Sequence, residues 1–572
     1  MDPSICKSCA KDATKLVGLI FAMLAAAVIY LSLYDRFWYP PDEGIYAHVA
    51  QRVLNGERLN SDVHDIHFGY ITLINAAALH FFGSDLVSLR YPLVIIGLLQ
   101  ALLMFILFSQ RGTVVAVTAS VSLSSLSIVQ FLNPSANWYA LFLAICLIAV
   151  AALWHQENSP RLITLGFLAG LALFVRQLSG VFVIMGLLTY LICKYREATT
   201  GKQRVLARLC ILIMLAGTGW YTYTKADPLA WLVIGIWPMS ILAWAYLNAS
   251  ISNARLFNII GKLAIGGILA AAPALLYHTH HGTLGNWFSD TVIAAVAFSE
   301  TAFISSSHYS NLLGFSLASL LQPGSLQGVI NNVFWIVLIL LTMVNGYLTL
   351  VSLNTGRHSK AFHPLPVLAV FYSLVSLHFQ IPIYLFFSIG LTLTSVLWLT
   401  SRETSSWFTA PIVMAWCLCV TALHYHAAQP LSRGAEGILT GVRTHTMHKS
   451  SLPGNSLSIT EEDLALYRRI VDLVYEHTKE SDYILALPAN PEIYFMTSRK
   501  NPLRYANAGQ GIVSDTGLVT AKQQLDANPP AMVLYRMVDK YNTHYVSELM
   551  THLDPYYQRL DTIGEFTVYK RH

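Results

Sequence analysis

Charge is what this chain has least of. Asp, Glu, Lys and Arg make up 12% of its 572 residues, hydrophobic residues 55%, and the mean hydropathy is +0.51. A soluble globular surface needs about a quarter of its residues charged, so that class is excluded. The net charge of +5 is too small a surplus to make a nucleic-acid-binding face. Cysteine is scarce as well, with seven in all and none after Cys419, so no disulfide framework is implied. Cys6-Lys7-Ser8-Cys9 has the spacing of half a zinc knuckle, but no second pair completes it. There is no low-complexity tract and no internal repeat, and the lack of an inverted repeat counts against a secondary transporter.

What is present is long apolar runs. They recur from Leu16 to about Leu423, separated by short polar or basic breaks, each long enough to cross a core of about 30 Å. The expected fold class is an α-helical polytopic membrane protein with about thirteen transmembrane helices. The first run has no small-residue cleavage site and is expected to remain as an anchor. Lys7, Lys11 and Lys15 precede it, and Arg111, Arg161, Lys194, Arg255, Arg357 and Arg402 fall in alternate breaks. By the positive-inside rule those breaks and the N-terminus are cytoplasmic, and an odd number of spans puts the tail outside. A bacterial inner membrane suits the style of that tail.

Three stretches depart from plain spans. In the outer loop from Asp35 to about Asp85, Pro40 and Pro41 suit a helix start, Ile45, Val49 and Val53 recur every fourth position, and Gly56 is a stop. This predicts a helix lying along the membrane surface. Residues 70–82 are too short to span, end at Gly83, and are expected to lie flat or dip in. The outer loop 278–327, with a short helix near 287–298, is long enough to act as a lid. After a transmembrane catalytic domain of residues 1–429, a linker over 430–458 leads to a soluble extracytoplasmic α/β domain over 459–572. There Thr460-Glu461-Glu462-Asp463 caps a helix to about Thr478, and strands are expected at 483–487, 531–535 and 565–569.

Tyr39-Pro40-Pro41-Asp42-Glu43-Gly44-Ile45-Tyr46 sets two carboxylates at the mouth of a membrane protein. Acids in a first helical turn are favoured by the macrodipole whether or not they do chemistry. A helix start at the membrane surface beside Trp38, Tyr39 and Tyr46 is also a place to meet a lipid-linked substrate. Asp62-Val63-His64-Asp65-Ile66-His67 packs two acids and two histidines into one loop, enough to hold a divalent metal on Asp62, His64 and Asp65, or to add an acid to a site. Alternation along an extended segment would put Asp62 and His64 on one side and Asp65 and His67 on the other. His278, His280 and His281, beside Tyr277, read either as metal or phosphate ligands or as solvated anchors.

The pattern Pro-Asp-Glu-Gly-x-Tyr after one span, then Ala50 to Glu57, a stretch ending Phe82-Gly83, and Arg90-Tyr91-Pro92, resembles the GT-C glycosyltransferases. Protein O-mannosyltransferases and lipid A aminoarabinose transferases are the most similar groups. Gly170 to Gly180 (GLALFVRQLSG) is similar to the family's Gly-rich span ending in a basic residue, and His378 to Tyr384 to its late outer motif.

The resemblance covers most of residues 15–430. It implies an inverting hexosyl- or pentosyltransferase that uses a polyprenyl-phosphate sugar donor and a lipid, glycan or protein acceptor at the outer face. Asp42 would then be the general base and Glu43 its support. The leaving phosphate needs a cation, for which Arg176 is the first candidate and Arg90 and Arg58 are others, each also readable as a snorkelling or exposed arginine. Tyr46, His67, His378 and Tyr384 would line the substrate site.

Two departures stand out. His67-Phe68-Gly69 occupies the place of a Lys-Pro pair, and Asn133 to Asn137 holds no carboxylate where many relatives have one, leaving Asn137 as a neutral substitute. Outside this reading, a flippase using the loop acids as a proton relay, or an inactive homologue serving as an assembly subunit, remains open.

Overall fold

The structure, a computed structural model, describes residues 3–572 except 155, 157, 196, 198–200, 301–307, 322–325, 355–362, 402–405, 428–446 and 538. Among the described residues, ten helices are long and apolar enough to cross a membrane, against about thirteen expected, and four further apolar helices are shorter: Tyr70–Phe82, Ser159–Val175, Tyr309–Leu321 and Pro364–Leu377. The chain is thus a helical membrane protein whose described residues carry, near its end, a two-stranded and a four-stranded sheet.

The first elements are α1 (Pro3–Leu33), α2 (Pro40–Leu54), α3 (Tyr70–Phe82), α4 (Tyr91–Phe108), α5 (Thr113–Ser125), α6 (Ala136–Leu153), α7 (Ser159–Val175), α8 (Gln177–Lys194) and α9 (Val205–Lys225). Both helices of the loop after α1 fall where the punctuation put them. Prolines open α2, and Gly56 and Gly83, past the ends of α2 and α3, adopt φ of +92° and +97°, a region that side-chain-bearing residues rarely enter. α7 crosses the helix Asn253–His280 at very close range, because a methyl on Gly166 would sit 2.1 Å from the Leu263 carbonyl oxygen and one on Gly266 2.0 Å from that of Ile163. Small residues are how membrane helices approach this tightly.

α2 does not lie on an open membrane surface, because the C-terminal domain rests on it. A methyl on Gly44 would meet the Glu492 backbone nitrogen at 2.4 Å, the Trp38 and Tyr467 rings lie 4.5 Å apart, and His48 stacks on Tyr494 at 4.8 Å. Trp38, Ala47, Ala50 and Leu79 of the first loop join Ile459, Ile470, Ile493 and Phe495 of the tail in one apolar core.

In the tail, β1 (His448–Lys449) pairs antiparallel with β2 (Ser458–Ile459). A four-stranded sheet follows in the order β3 (Ile484–Leu487), β4 (Met532–Arg536), β6 (Phe566–Arg571) and β5 (Tyr557–Ile563), with only the β3–β4 pair parallel. Alternation sorts the parallel pair β3 and β4: Ile484, Ala486, Met532 and Leu534 face the core shared with α2, while Leu485, Leu487, Val533 and Tyr535 face a second core with Leu503, Ile512 and Leu549. Three strands begin within a residue of expectation, and β5, an edge strand with Gln558 to Leu560 exposed, was not anticipated. The Thr460 cap holds as read, its hydroxyl oxygen accepting from the Asp463 backbone nitrogen at 3.1 Å at the head of the helix Glu461–His477.

Of the expected linker, 430–446 lies outside the described residues. The rest is tied down: Leu452 and Leu457 are buried, the Ser456 hydroxyl donates to Asp85 at 2.6 Å, and the Ser458 backbone nitrogen donates to the Asp35 carbonyl at 2.7 Å. Of the expected lid, 301–307 and 322–325 lie outside the described residues, and the predicted short helix is present as Leu284–Phe288 running through a π-turn, Ser289–Ile293, into Ala294–Ser299.

Candidate active site

α7 and α8 are consecutive apolar helices with a single residue between them, and that residue is Arg176. Its backbone is extended, at φ −147° and ψ +106°, while its nitrogen still bonds the Ala172 carbonyl and its own carbonyl accepts from Gly180. The break presents the guanidinium to a cavity of about 850 Å³. Asp42, in the first turn of α2, lines the same cavity. Part of the lining is apolar, including Leu173, Leu178, Val181, Val292 and Val296.

Most of the expected residues meet here. Asp42, Tyr46, His64, Asp65, His67, Asn137, Arg176, His378 and Tyr384 all line the cavity. Arg176 Nη1 lies 3.2 Å from His67 Nε2, and His67 Nδ1 is 3.2 Å from Asp65 Oδ1, so a carboxylate, an imidazole and a guanidinium stand in file. Burial alone would raise the pKa of Asp65, but the His67 hydrogen bonds and charge and the Thr72 hydroxyl outweigh it and hold the carboxyl below its ordinary range. Tyr46 is pushed up to about 12, chiefly by burial, with Arg176 pulling it down and Asp42 pushing it up. Tyr384 is within electrostatic reach of both groups too. Two tyrosines therefore sit in the field of the base candidate and of the cation candidate.

Five expected residues lie elsewhere. Glu43 and Arg90 are fully buried against each other and do not line the cavity. Burial raises the Glu43 pKa against the opposing pull of Arg90. Arg58 and Asp62 form an exposed pair at 3.2 Å, where the hydrogen bonds from Arg58 and Ser61 lower the Asp62 pKa despite a burial contribution that acts the other way. His278 is buried, its Nδ1 2.8 Å from the Thr283 hydroxyl and its ring stacked on Trp287.

The proposed metal trio does not converge either. Asp62 turns to Arg58, Asp65 to His67 and Thr72, and His64 lies 3.9 Å from Asp290, and among the described residues no group of three His, Cys, Asp or Glu is placed to hold an ion. In a looped rather than extended segment, neighbouring side chains need not share a target.

Several cavity residues were not anticipated. Lys225 ends α9 and donates to the Ser299 carbonyl at 2.6 Å. A lysine at the end of a span opposite the basic breaks was the available signal. Asn133 lines the cavity with its buried side-chain oxygen unpartnered among the described residues. Asn507, Gln510, Lys540 and Tyr541 come down from the C-terminal domain, more than 460 positions after Asp42, and no local pattern marks them.

No family model matches the chain, and no curated protein matches it. Among solved structures it is similar to ArnT from Cupriavidus metallidurans bound to undecaprenyl phosphate, at 14% identity and a TM-score of 0.40, over 96% of this chain and 97% of that one.

Proposed function

We propose that this protein is an inverting glycosyltransferase of the GT-C class, transferring a sugar from a polyprenyl-phosphate carrier to an acceptor hydroxyl outside the cytoplasm. The single observation that supports this best is that Asp42 and Arg176, from distant parts of the chain, line one cavity whose lining also includes many apolar side chains. An anionic base and a cation are what the reaction needs at its two ends. Asp42 takes the proton of the acceptor hydroxyl, and that oxygen forms a bond to the anomeric carbon from the face opposite the phosphate. The bond from the anomeric carbon to the phosphate oxygen breaks with its electron pair, and the charge gathering on the phosphate is met by the Arg176 guanidinium. Attack from the opposite face inverts the anomeric configuration. The prenyl tail lies along Leu178, Val181 and Val296. In this reading residues 1–429 carry the chemistry in a bacterial inner membrane, with the N-terminus cytoplasmic and the C-terminal domain on the outer side.

The test is donor turnover by the purified full chain in detergent, with a panel of polyprenyl-phosphate sugars and water as the default acceptor. Wild type releases sugar, and Asp42→Asn slows this by about 100-fold or more, the scale of a lost general base. Undiminished turnover in the variant removes Asp42 as the base, and absence of turnover with every donor in the wild type overturns the transferase reading.

A further inference from the structure

The guanidinium assigned to the leaving phosphate sits on a one-residue break between two helices, at the end of a side chain with several free rotors. Holding it in place before substrate arrives spares the entropy of freezing it during the reaction. The loop after α2 does this. Arg176 Nη1 lies 3.2 Å from His67 Nε2, and Gln177, the next residue, donates through Nε2 to the Ile66 carbonyl at 2.9 Å. The Phe68 and Phe174 rings, one on each side of the same contact, lie 5.0 Å apart.

The direction of the hydrogen bonds follows from which atoms can donate. Arginine has donors only, so His67 Nε2 is the bare, accepting nitrogen, and the imidazole is neutral with its proton on Nδ1. That proton is directed to Asp65 Oδ1 at 3.2 Å. Asp65 is itself fixed: the His67 backbone nitrogen donates to Oδ1 at 2.9 Å, the Thr72 hydroxyl to Oδ2 at 2.5 Å, and Asn60 Nδ2 to the Asp65 carbonyl at 2.8 Å. The side chains of Asp65 and His67 are 6% and 12% exposed, so water competes little for these bonds. The other tautomer, or a protonated ring, would aim an N–H at the N–H of the guanidinium. The carboxylate thus selects the form of the imidazole that can accept from Arg176.

We propose that Asp65 and His67 are positioning residues for the Arg176 guanidinium, Asp65 keeping the imidazole proton on Nδ1 and His67 Nε2 holding one nitrogen of the fork while the rest meets the leaving phosphate. The proposal rests on the transferase reading and goes beyond it by naming what aims its cation. Neither residue needs to touch substrate for this. Their effect passes through Arg176, and that makes it separable from a structural one.

The experiment measures kcat and KM for a donor that the wild type turns over, with water as acceptor, using the full chain. The variants are His67→Leu, His67→Gln and Asp65→Ala, each alone and combined with Arg176→Gln. Leucine removes the acceptor, whereas glutamine returns an amide oxygen that needs no carboxylate to select it. The expected result is a kcat about tenfold lower in His67→Leu and Asp65→Ala with KM within about twofold, recovery in His67→Gln, and no further loss from any of them once Arg176 is replaced. An unchanged kcat in His67→Leu overturns the proposal, and so does a loss of equal size in the Arg176→Gln background. Should Asp65→Ala not fold, the two His67 variants carry the test. If the wild type turns over no donor, titration with geranyl phosphate followed by phosphorus NMR separates the two claims. Affinity about tenfold weaker in His67→Leu, with no such difference in the Arg176→Gln background, keeps the positioning and sinks the transferase. Equal affinity in His67→Leu and wild type, or no binding to wild type, overturns the positioning.

Discussion

Arg90 Nε donates to Glu43 Oε1 at 2.8 Å, with both side chains at 0% exposure. The remaining guanidinium nitrogens donate to the carbonyls of Tyr34, Arg36 and Phe37, and the second Glu43 oxygen accepts from the Tyr39 backbone nitrogen at 3.0 Å. The pair therefore ties the end of α1, the turn into α2 and the start of α4 into one unit, and Asp42 is the next residue along. Glu43 thereby fixes the backbone from which Asp42 projects.

Breaking one side of that pair leaves a buried charge alone. Glu43→Gln and Arg90→Met are each expected to destabilise the fold by about 3–5 kcal/mol, and the double variant by less than the sum. Thermal unfolding in detergent checks this, and additive losses would show that the two side chains do not act on each other.

Arg176→Lys keeps the charge and loses the planar fork, including the nitrogen near His67. Donor turnover should fall about tenfold, and about 100-fold or more in Arg176→Gln. Equal turnover in wild type and Arg176→Gln would take the leaving phosphate away from this cation.

Gly44→Ala places a methyl against the Glu492 backbone, where no flexible side chain can yield. The expected cost is about 1–3 kcal/mol, felt at the contact between α2 and the C-terminal domain. Limited proteolysis should release the tail faster than in wild type, and an unchanged digestion rate would mean that this contact does not hold the domain.

Glu492, in the helix Pro491–Thr497 above α2, is fully buried, bonded to the Tyr467 hydroxyl at 2.9 Å and to Asn490 Nδ2 at 3.2 Å. Burial pushes its pKa up from 4.5 to about 7. The folded state thus holds this proton more tightly than the unfolded chain, so the stabilisation is complete below about pH 4.5 and is lost as pH rises through about 7. Each tenfold gain in proton affinity is worth about 1.36 kcal/mol, which puts the whole effect at up to about 3 kcal/mol. Melting temperature should fall across that window in wild type and much less in Glu492→Gln, and equal slopes in the two would assign the pH dependence to another group.

The sequence made legible whatever is written locally. Paired prolines and flanking glycines marked α2 and α3, the Thr460 capping pattern marked its helix, and the resemblance of residues 170–180 to a family motif drew attention to Arg176, which lines the cavity. It left hidden whatever depends on docking. Nothing near Glu43 or Arg90 says that they will bury each other, and nothing near Asn507 or Tyr541 says that they will roof a site built by α2 and α8. Local patterns report propensity and capping, while those pairings are decided by which surfaces meet. The loop acids and histidines misled for the same reason, since residue types that bind metals also satisfy one another when the chain turns between them.

Arg176 is the entire connection between α7 and α8, and this bears on which length changes the chain can accept. One residue added or removed there would turn α8 by about 100° about its axis and swing the face carrying Leu178 and Val181 out of the cavity. Longer loops elsewhere in the chain can absorb insertions in their own slack, but this join has none, so its length is as restrictive as its residue identity.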